Sequence, residues 1–381
     1  MTKTKILLAT TASVATLALP AFAEELAAEE LTIESTDLST VVGGTTFKFY
    51  GQINQGILSY DDGLQSNTYF PVDNDNSGSR IGLETETNLG SGWTMGTRLE
   101  FGITPSSTSD VNIQDEHGDW SFDKTDIRHL EVSFGSDAYG TFSFGQGSMA
   151  TDGITGADFS GTGVIAGAAV SDMAGGQLVR DTLGGFTGGK VSDHFDNMDG
   201  SRRFRARYDS ANYNGFVFSG SYGQEVLSDG DSNDYYDVAA RYSKDFGAYA
   251  FDAGLGYAWN GDDEEVLSGS AAVLHKDTGL SLAVAAGRTS ADHSSTYGYV
   301  KAGYQQDWFK AGTTAFSLDY YEGSDVFEQG AGSRSVGLAV VQNFDKQNLE
   351  VYGGIREYKF DNASADYKDG TAIMGGLRWK F

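Results

Sequence analysis

The chain of 381 residues has no cysteine, only 3 prolines, and 26 lysines and arginines against 53 aspartates and glutamates. Without thiols it can form no disulfide, thiolate metal centre or cysteine nucleophile. A formal net charge of −27 excludes a nucleic-acid binder, whose affinity comes from basic groups that neutralise phosphates. No apolar run is long enough to cross a bilayer as a helix; the stretch Ile6 to Leu19 is too short. Mean hydropathy is −0.33. These deficits exclude a helical membrane protein, but not a membrane barrel, whose signal is a dilute alternation of apolar and polar residues.

What is abundant is glycine, 51 residues, with 23 phenylalanines and 20 tyrosines. Residues 1–23 read as a secretory signal peptide: Lys3 and Lys5, the apolar run, then the cleavage pattern Ala21-Phe22-Ala23. Residues 24–45 read as an acidic leader carrying Glu24, Glu25, Glu29, Glu30, Glu34 and Asp37. Its role is not legible.

From residue 46 to 381 the chain breaks into sixteen strand-like segments. Trp93–Ile103 shows the pattern most plainly. Trp93, Met95, Leu99, Phe101 and Ile103 share one face, while Thr94, Gly96, Arg98, Glu100 and Gly102 take the other. Short connections such as 90–92, 245–247 and 345–347 alternate with long ones such as 61–79, 104–124 and 148–201. A soluble sandwich gives no reason for this asymmetry, whereas a transmembrane antiparallel β-barrel puts short turns at one end and long loops at the other. In lipid only a closed sheet pairs every backbone group, so the polar face must point inward. About sixteen strands enclose a lumen too wide for side chains to fill.

The alternation stops between Gly147 and Tyr208. This stretch carries Asp152, Asp158, Asp172, Asp181, Asp193, Asp196 and Asp199 and ends in Arg202-Arg203-Phe204-Arg205-Ala206-Arg207-Tyr208. As a strand, that run places Arg203, Arg205 and Arg207 on one face. Two readings stand: a solvated outer face, or an acidic loop folded back across an enclosed space near the arginines.

Ser79-Arg80-Ile81-Gly82-Leu83-Glu84-Thr85-Glu86-Thr87-Asn88-Leu89-Gly90 resembles the second strand and turn of the general diffusion porins of Gram-negative bacteria, in their alphaproteobacterial form. Arg205 to Ser210 with Asn214 to Gly223 resembles the strand pair after their constriction loop. Gly375-Gly376-Leu377-Arg378-Trp379-Lys380-Phe381 resembles their C-terminal strand. The resemblance implies a homotrimer of sixteen-stranded barrels in the outer membrane, each with a long loop folded into the lumen to narrow it. Basic wall residues would then face acidic loop residues. The inward candidates are Lys48, Arg80, Arg98, Arg203, Arg205 and Arg207, opposite the seven loop aspartates. Arg128 is left out because it shares the parity of Leu130, Val132 and Phe134. The acidic leader departs from the family, whose first strand begins near the mature N-terminus.

Other motifs weigh less. Asp73-Asn74-Asp75-Asn76-Ser77-Gly78, with Glu84 at the twelfth position, approaches a calcium-binding EF-hand loop, but no helix flanks it. A looser Ca²⁺ site among Asp73 and Asp75, or among Asp229, Asp231 and Asp234, is the alternative, against solvated loop charge. Gly184–Val191 lacks the hydroxyl residue of a phosphate loop. No G-x-S-x-G occurs, and His117, His129, His194, His275 and His293 are scattered without metal-ligand spacing. The expectation is a passive, weakly cation-selective pore for ions and small hydrophilic solutes, not an enzyme, and without a cofactor. A substrate-specific channel and a non-conducting adhesin or structural barrel are the rivals.

Overall fold

The computed structural model describes residues 38–118, 121–261, 264–290, 294–362 and 365–381. The signal-peptide reading of 1–23, leader residues 24–37, and the loop residues Asp262, Asp263 and His293 lie outside the described residues.

Eighteen strand segments form one antiparallel sheet that closes on itself: β1 Leu38–Val42, β2 Thr45–Asp61, β3 Ser66–Asp73, β4 Arg80–Gly90, β5 Trp93–Gly102, β6 Ile127–Ser136, β7 Gly140–Ser148, β8 Arg202–Asp209, β9 Phe216–Gln224, β10 Asp234–Asp245, β11 Tyr249–Asn260, β12 Glu265–His275, β13 Leu280–Ser290, β14 Thr296–Phe309, β15 Gly312–Ser324, β16 Gly332–Phe344, β17 Leu349–Asp361 and β18 Gly370–Lys380. They make a sixteen-stranded barrel, because two positions around the ring are each shared by two segments. β3 and β4 lie in line along one side of β2, pairing Gln55 with Asp73 and Gln52 with Arg80. β18 and β1 lie in line along its other side, pairing Lys380 with Gln52 and Leu38 with Phe49. The pairing of β18 with β2 closes the ring, and Gly51 and Phe381 exchange both backbone hydrogen bonds at 2.9 and 3.1 Å.

The loop read over 61–79 therefore contains β3, and part of the range 24–45 forms β1. The 3-10 turn Asp75–Ser77 fills the break between β3 and β4. β14 runs on to Phe309, and β15 begins at Gly312.

Polarity is reversed relative to a water-soluble domain. Leu130, Phe142, Phe204, Phe218, Leu255, Leu282, Leu318, Leu338 and Leu377 are exposed, while Asn54, Glu100, Asp237, Lys301, Asp319, Gln342 and Arg356 are buried. Exposed large apolar side chains on nearly every strand, over buried charges, are what a lipid-facing band requires. Among the described residues no helix is long and apolar enough to cross a membrane; the strands do the crossing.

Candidate functional site

Residues 149–201 have almost no regular structure, yet Ala150, Ile154, Ile165, Met173, Ala174, Val179 and Val191 are buried. They pack against inward-facing wall residues. Thr151 donates from its amide and hydroxyl to Asp237 Oδ2, both at 2.7 Å. Ser270 Oγ donates to the Ile154 carbonyl at 2.7 Å, and Thr162 and Ser317 share a hydroxyl bond of 2.7 Å. Lys301 Nζ, almost fully buried, donates to Asp158 Oδ2 at 2.8 Å and to the Ala166 carbonyl at 2.7 Å. Tyr358 donates to the Val170 carbonyl at 2.9 Å, and Tyr321 to that of Asp196 at 2.7 Å. A Cβ on Gly254 or Gly256 of β11 would stand 2.7 Å from Ile154 or Thr151 side-chain atoms, so glycine there lets the segment lie flat on the wall.

Among the described residues, the wall hydrogen bonds of this segment fall on β3, β8, β9, β10, β12, β14, β15 and β17. None falls on β4, β5 or β6. Those strands carry a basic cluster. Arg98 bonds Tyr50 Oη at 2.9 Å and Glu100 at 2.8 Å, and lies 3.6 Å from Glu84. Arg80 reaches Gln52 at 3.3 Å. Arg378 of β18 bonds Glu350 at 2.5 Å and Ser77 Oγ at 2.7 Å.

Arg128, expected outward, is a correction. Its Nε donates to Glu100 Oε1 at 2.7 Å, and Glu100 is buried in the interior. The register slips between Glu100 and Phe101: Glu100 faces His129, but Phe101 faces Ile127. The bulge inserts one residue, so parity counted back from Leu130 fails at Arg128.

The other candidates are placed as follows. Arg205 pairs with Glu131, Arg207 with Asp209 at 2.7 Å, and Arg203 lies 3.5 Å from Glu225 and 4.2 Å from the Tyr235 ring centroid. Their partners are carboxylates of the wall and of the connection after β9, not of the segment 149–201. Lys48 is exposed, opposite Glu84 in register. Of the seven aspartates, Asp158 holds Lys301 and Asp152 lies 3.7 Å from Arg202. Asp181, Asp193, Asp196 and Asp199 accept backbone amides within the segment. Burial, with the Asp152 charge adding to it, pushes the Asp199 carboxyl above its usual range. Burial also pushes Asp172 up, reinforced by Asp75.

Sequence reasoning missed Arg202, Arg241, Lys301, Asp319, Arg356 and Arg378. Arg356 and Asp319, both buried, form a two-pronged pair at 2.7 and 2.9 Å. The signal was available for four of them: Lys301, Asp319, Arg356 and Arg378 each follow an outward apolar residue (Val300, Leu318, Ile355 and Leu377), so parity alone places them inside.

The calcium candidates do not come together. Asp73 accepts from the Ser79 amide and from Gln55, Asp75 from Ser109, and Asn74 donates to the Val164 carbonyl at 2.7 Å. Asp229 binds Lys124, Asp231 accepts from Tyr235, and Asp234 from Tyr222 and Gln224. Among the described residues no three His, Asp or Glu side chains are grouped to hold a metal ion. The EF-hand-like stretch is the break between β3 and β4, and its polar atoms fasten the inner segment to the wall.

The family model for Gram-negative porins matches residues 9–363. The chain belongs to the Gram-negative porin family. It is an outer-membrane channel protein, and the inside-out barrel is the form that role requires. The anion-selective porin of Comamonas acidovorans superposes on this porin with a TM-score of 0.60 at 17% identity, over 88% of this chain and 100% of the other. OmpF of Salmonella typhi, in complex with daunomycin, gives 0.57 at 13% over 90% and 100%. OmpT of Vibrio cholerae, in its trimer form, gives 0.55 at 14% over 89% and 100%. No curated protein matches the sequence.

Proposed function

We propose that this porin is a passive, weakly cation-selective pore for ions and small hydrophilic solutes, that residues 149–201 narrow its lumen, and that it assembles as a homotrimer. The observation that carries the reading is the one-sided attachment of that segment. It is fastened to β3, β8, β9, β10, β12, β14, β15 and β17, which leaves the wall of β4 to β6, with Arg80, Arg98 and Arg128, to border the water-filled path. No energy source or cofactor enters this transport.

Two charge sets compete for selectivity. The wall arginines attract anions, but most are answered at close range: Arg98 and Arg128 by Glu100, Arg205 by Glu131, Arg378 by Glu350. Among the described residues Arg80 has no carboxylate partner within 4.0 Å. The chain carries a net charge of −27, and its long loops are rich in acids, among them Asp61, Asp62, Asp110, Asp115, Glu116, Asp229 and Asp231. A negative mouth concentrates cations. The anion preference in the name of the Comamonas relative belongs to that protein, because at 17% identity only the fold is shared.

The test is the zero-current potential across a bilayer in a KCl gradient. It should carry the sign of K⁺ preference near 0.1 M salt, where the screening length of about 10 Å matches a pore mouth, and shrink toward 1 M. Chloride preference at low salt would show that the arginines set permeation. Absence of any conductance would leave the non-conducting barrel.

A further inference from the structure

We infer that His194 is an acid-released latch at the long-loop end of the barrel. In its neutral form it holds a hairpin of the inner segment against the ends of β15 to β18, and on gaining a proton it lets that hairpin go. The inference goes beyond the channel reading and does not depend on conductance.

The hairpin is residues 178–190. Leu178 bridges to Lys190, the Val179 amide donates to the Gly189 carbonyl at 2.8 Å, and the Asp181 amide to that of Gly185 at 2.8 Å. It lies on the connection between β17 and β18. The Thr182 amide donates to the Asp366 carbonyl at 2.9 Å, and the Lys368 amide to the Arg180 carbonyl at 2.8 Å. Arg180 also pairs with Asp62, in the connection between β2 and β3, at 2.6 Å. A Cβ on Gly188 would stand 2.9 Å from the Tyr367 ring, so the returning arm lies flat against that residue.

His194 follows the hairpin closely and is only 2% exposed. Its ring centroid lies 4.3 Å from that of Phe327, in the connection between β15 and β16, and 4.8 Å from that of Phe360 on β17. Tyr367 stands edge-on at 6.0 Å. His194 Nε2 donates to the Gly188 carbonyl at 2.7 Å. One side chain thus ties the returning arm of the hairpin to three places on the wall and its loops.

A second proton on the ring would put a charge into this cage. The charged and titratable groups around it are Asp193 on its own segment and Lys190 on the hairpin, Glu328 beside Phe327, and Tyr358 on β17. Tyr367, flanked by Asp366 and Lys368, completes the set. Asp193 and Glu328 favour an imidazolium, but Asp193 already accepts the Lys190 amide at 2.8 Å and Glu328 accepts from Asn362. Ring faces attract a cation, yet here they also exclude the water that would solvate it. Burial is the larger effect and lowers the His194 pKa below the ordinary histidine value. The closed latch therefore binds fewer protons than the opened chain, whose histidine titrates near about 6.5. Its stability is complete above that pH, falls as pH drops below it, and is level again below the lowered folded value. What opens is local, a hairpin and its contacts rather than the barrel.

The test is amide hydrogen exchange, read by mass spectrometry on the folded full-length porin at pH 7 and pH 5, with intrinsic rates divided out. Protection across residues 179–190 should fall severalfold at pH 5, while β15 and β16 keep theirs. His194→Phe retains a ring that takes no proton, so its hairpin protection should be the same at both pH values. Heat-modifiable gel mobility verifies folding, and His194→Gln, equally unable to gain the charge, decides the matter if the phenylalanine variant misfolds. His117→Gln, at an exposed loop position, should keep the fall. Asp172, whose raised pKa weakens its surroundings as pH climbs, cannot imitate a loss on acidification. Equal protection at both pH values in the unaltered porin, or a fall that survives in the folded His194 variants, overturns the inference.

Discussion

Arg128 donates from Nε to Glu100 Oε1 across 2.7 Å, inside a barrel whose neighbouring residues Leu130 and Phe134 face outward at 52% and 37% exposure. One inserted residue separates the two behaviours. The bulge turns an arginine away from lipid, where it would cost about 2–4 kcal/mol near the midplane, and gives Glu100 its second cation. Replacing Arg128 by Leu should therefore not improve folding. It should lower stability by about 1–3 kcal/mol, because a buried carboxylate loses a charged donor. The temperature at which the folded gel band disappears measures this, and a rise would put Arg128 on the lipid side.

The parity of β5 makes a sharper comparison. Leu99 pairs with Leu83 on one side and Leu130 on the other, within the outward set. Leu99→Arg should impair membrane insertion by up to about 2–4 kcal/mol, and Thr97→Arg should do likewise if both lie near the midplane. Arg98→Gln, on the polar face, should insert normally. Normal assembly of Leu99→Arg together with failure of Arg98→Gln would invert the faces.

Deleting residues 163–184 should enlarge single-channel conductance and admit larger solutes. A milder form of the same test is Lys301→Met. It leaves the Asp158 carboxylate without its cation and the Ala166 carbonyl without the donor that Lys301 supplies, at 2.8 and 2.7 Å. Losing a charged donor at a partly buried carboxylate costs about 1–3 kcal/mol, so open-channel noise should rise as the segment loosens. Unchanged conductance and size cutoff in the deletion would remove the segment from the permeation path.

The pH dependence of that segment follows from Asp172. Burial raises its carboxyl pKa well above the ordinary range, Asp75 adds to this, and Arg356 opposes it. The folded segment thus keeps a proton that the unfolded chain, with an aspartate pKa of about 3.9, has lost. Stability falls as pH climbs from that value through the raised folded one, and is level above it. Asp172→Asn should abolish the slope and quiet the channel at neutral pH. Current noise at pH 5 and pH 7 reads this directly; an unaltered porin equally quiet at both would refute it.

The alternation of β5 and the apolar positions of β8, β9 and β18 were legible in the chain because they answer a local question. Each residue faces lipid or water, successive residues take opposite faces, and the pattern is written every second position. Lys301, Asp319, Arg356 and Arg378 could have been placed by the same rule. The bulge at Arg128 could not, because it exists only in the pairing of β6 with β5. Nor could the break between β3 and β4, where a calcium-like run of oxygens turns out to hold the inner segment through Asn74 and Val164, 90 residues apart. The partners of the arginines were likewise hidden. The resemblance set seven loop aspartates against them, but register brings wall carboxylates nearer, and a charge is neutralised by what lies within a few ångströms of it. The sequence alone determined the closed barrel, its inward polar face and the single long interruption. Only the tertiary structure decided where that interruption lies, because its course is set by hydrogen bonds to strands distant from it in the chain, β3 before it and β8 to β17 after it.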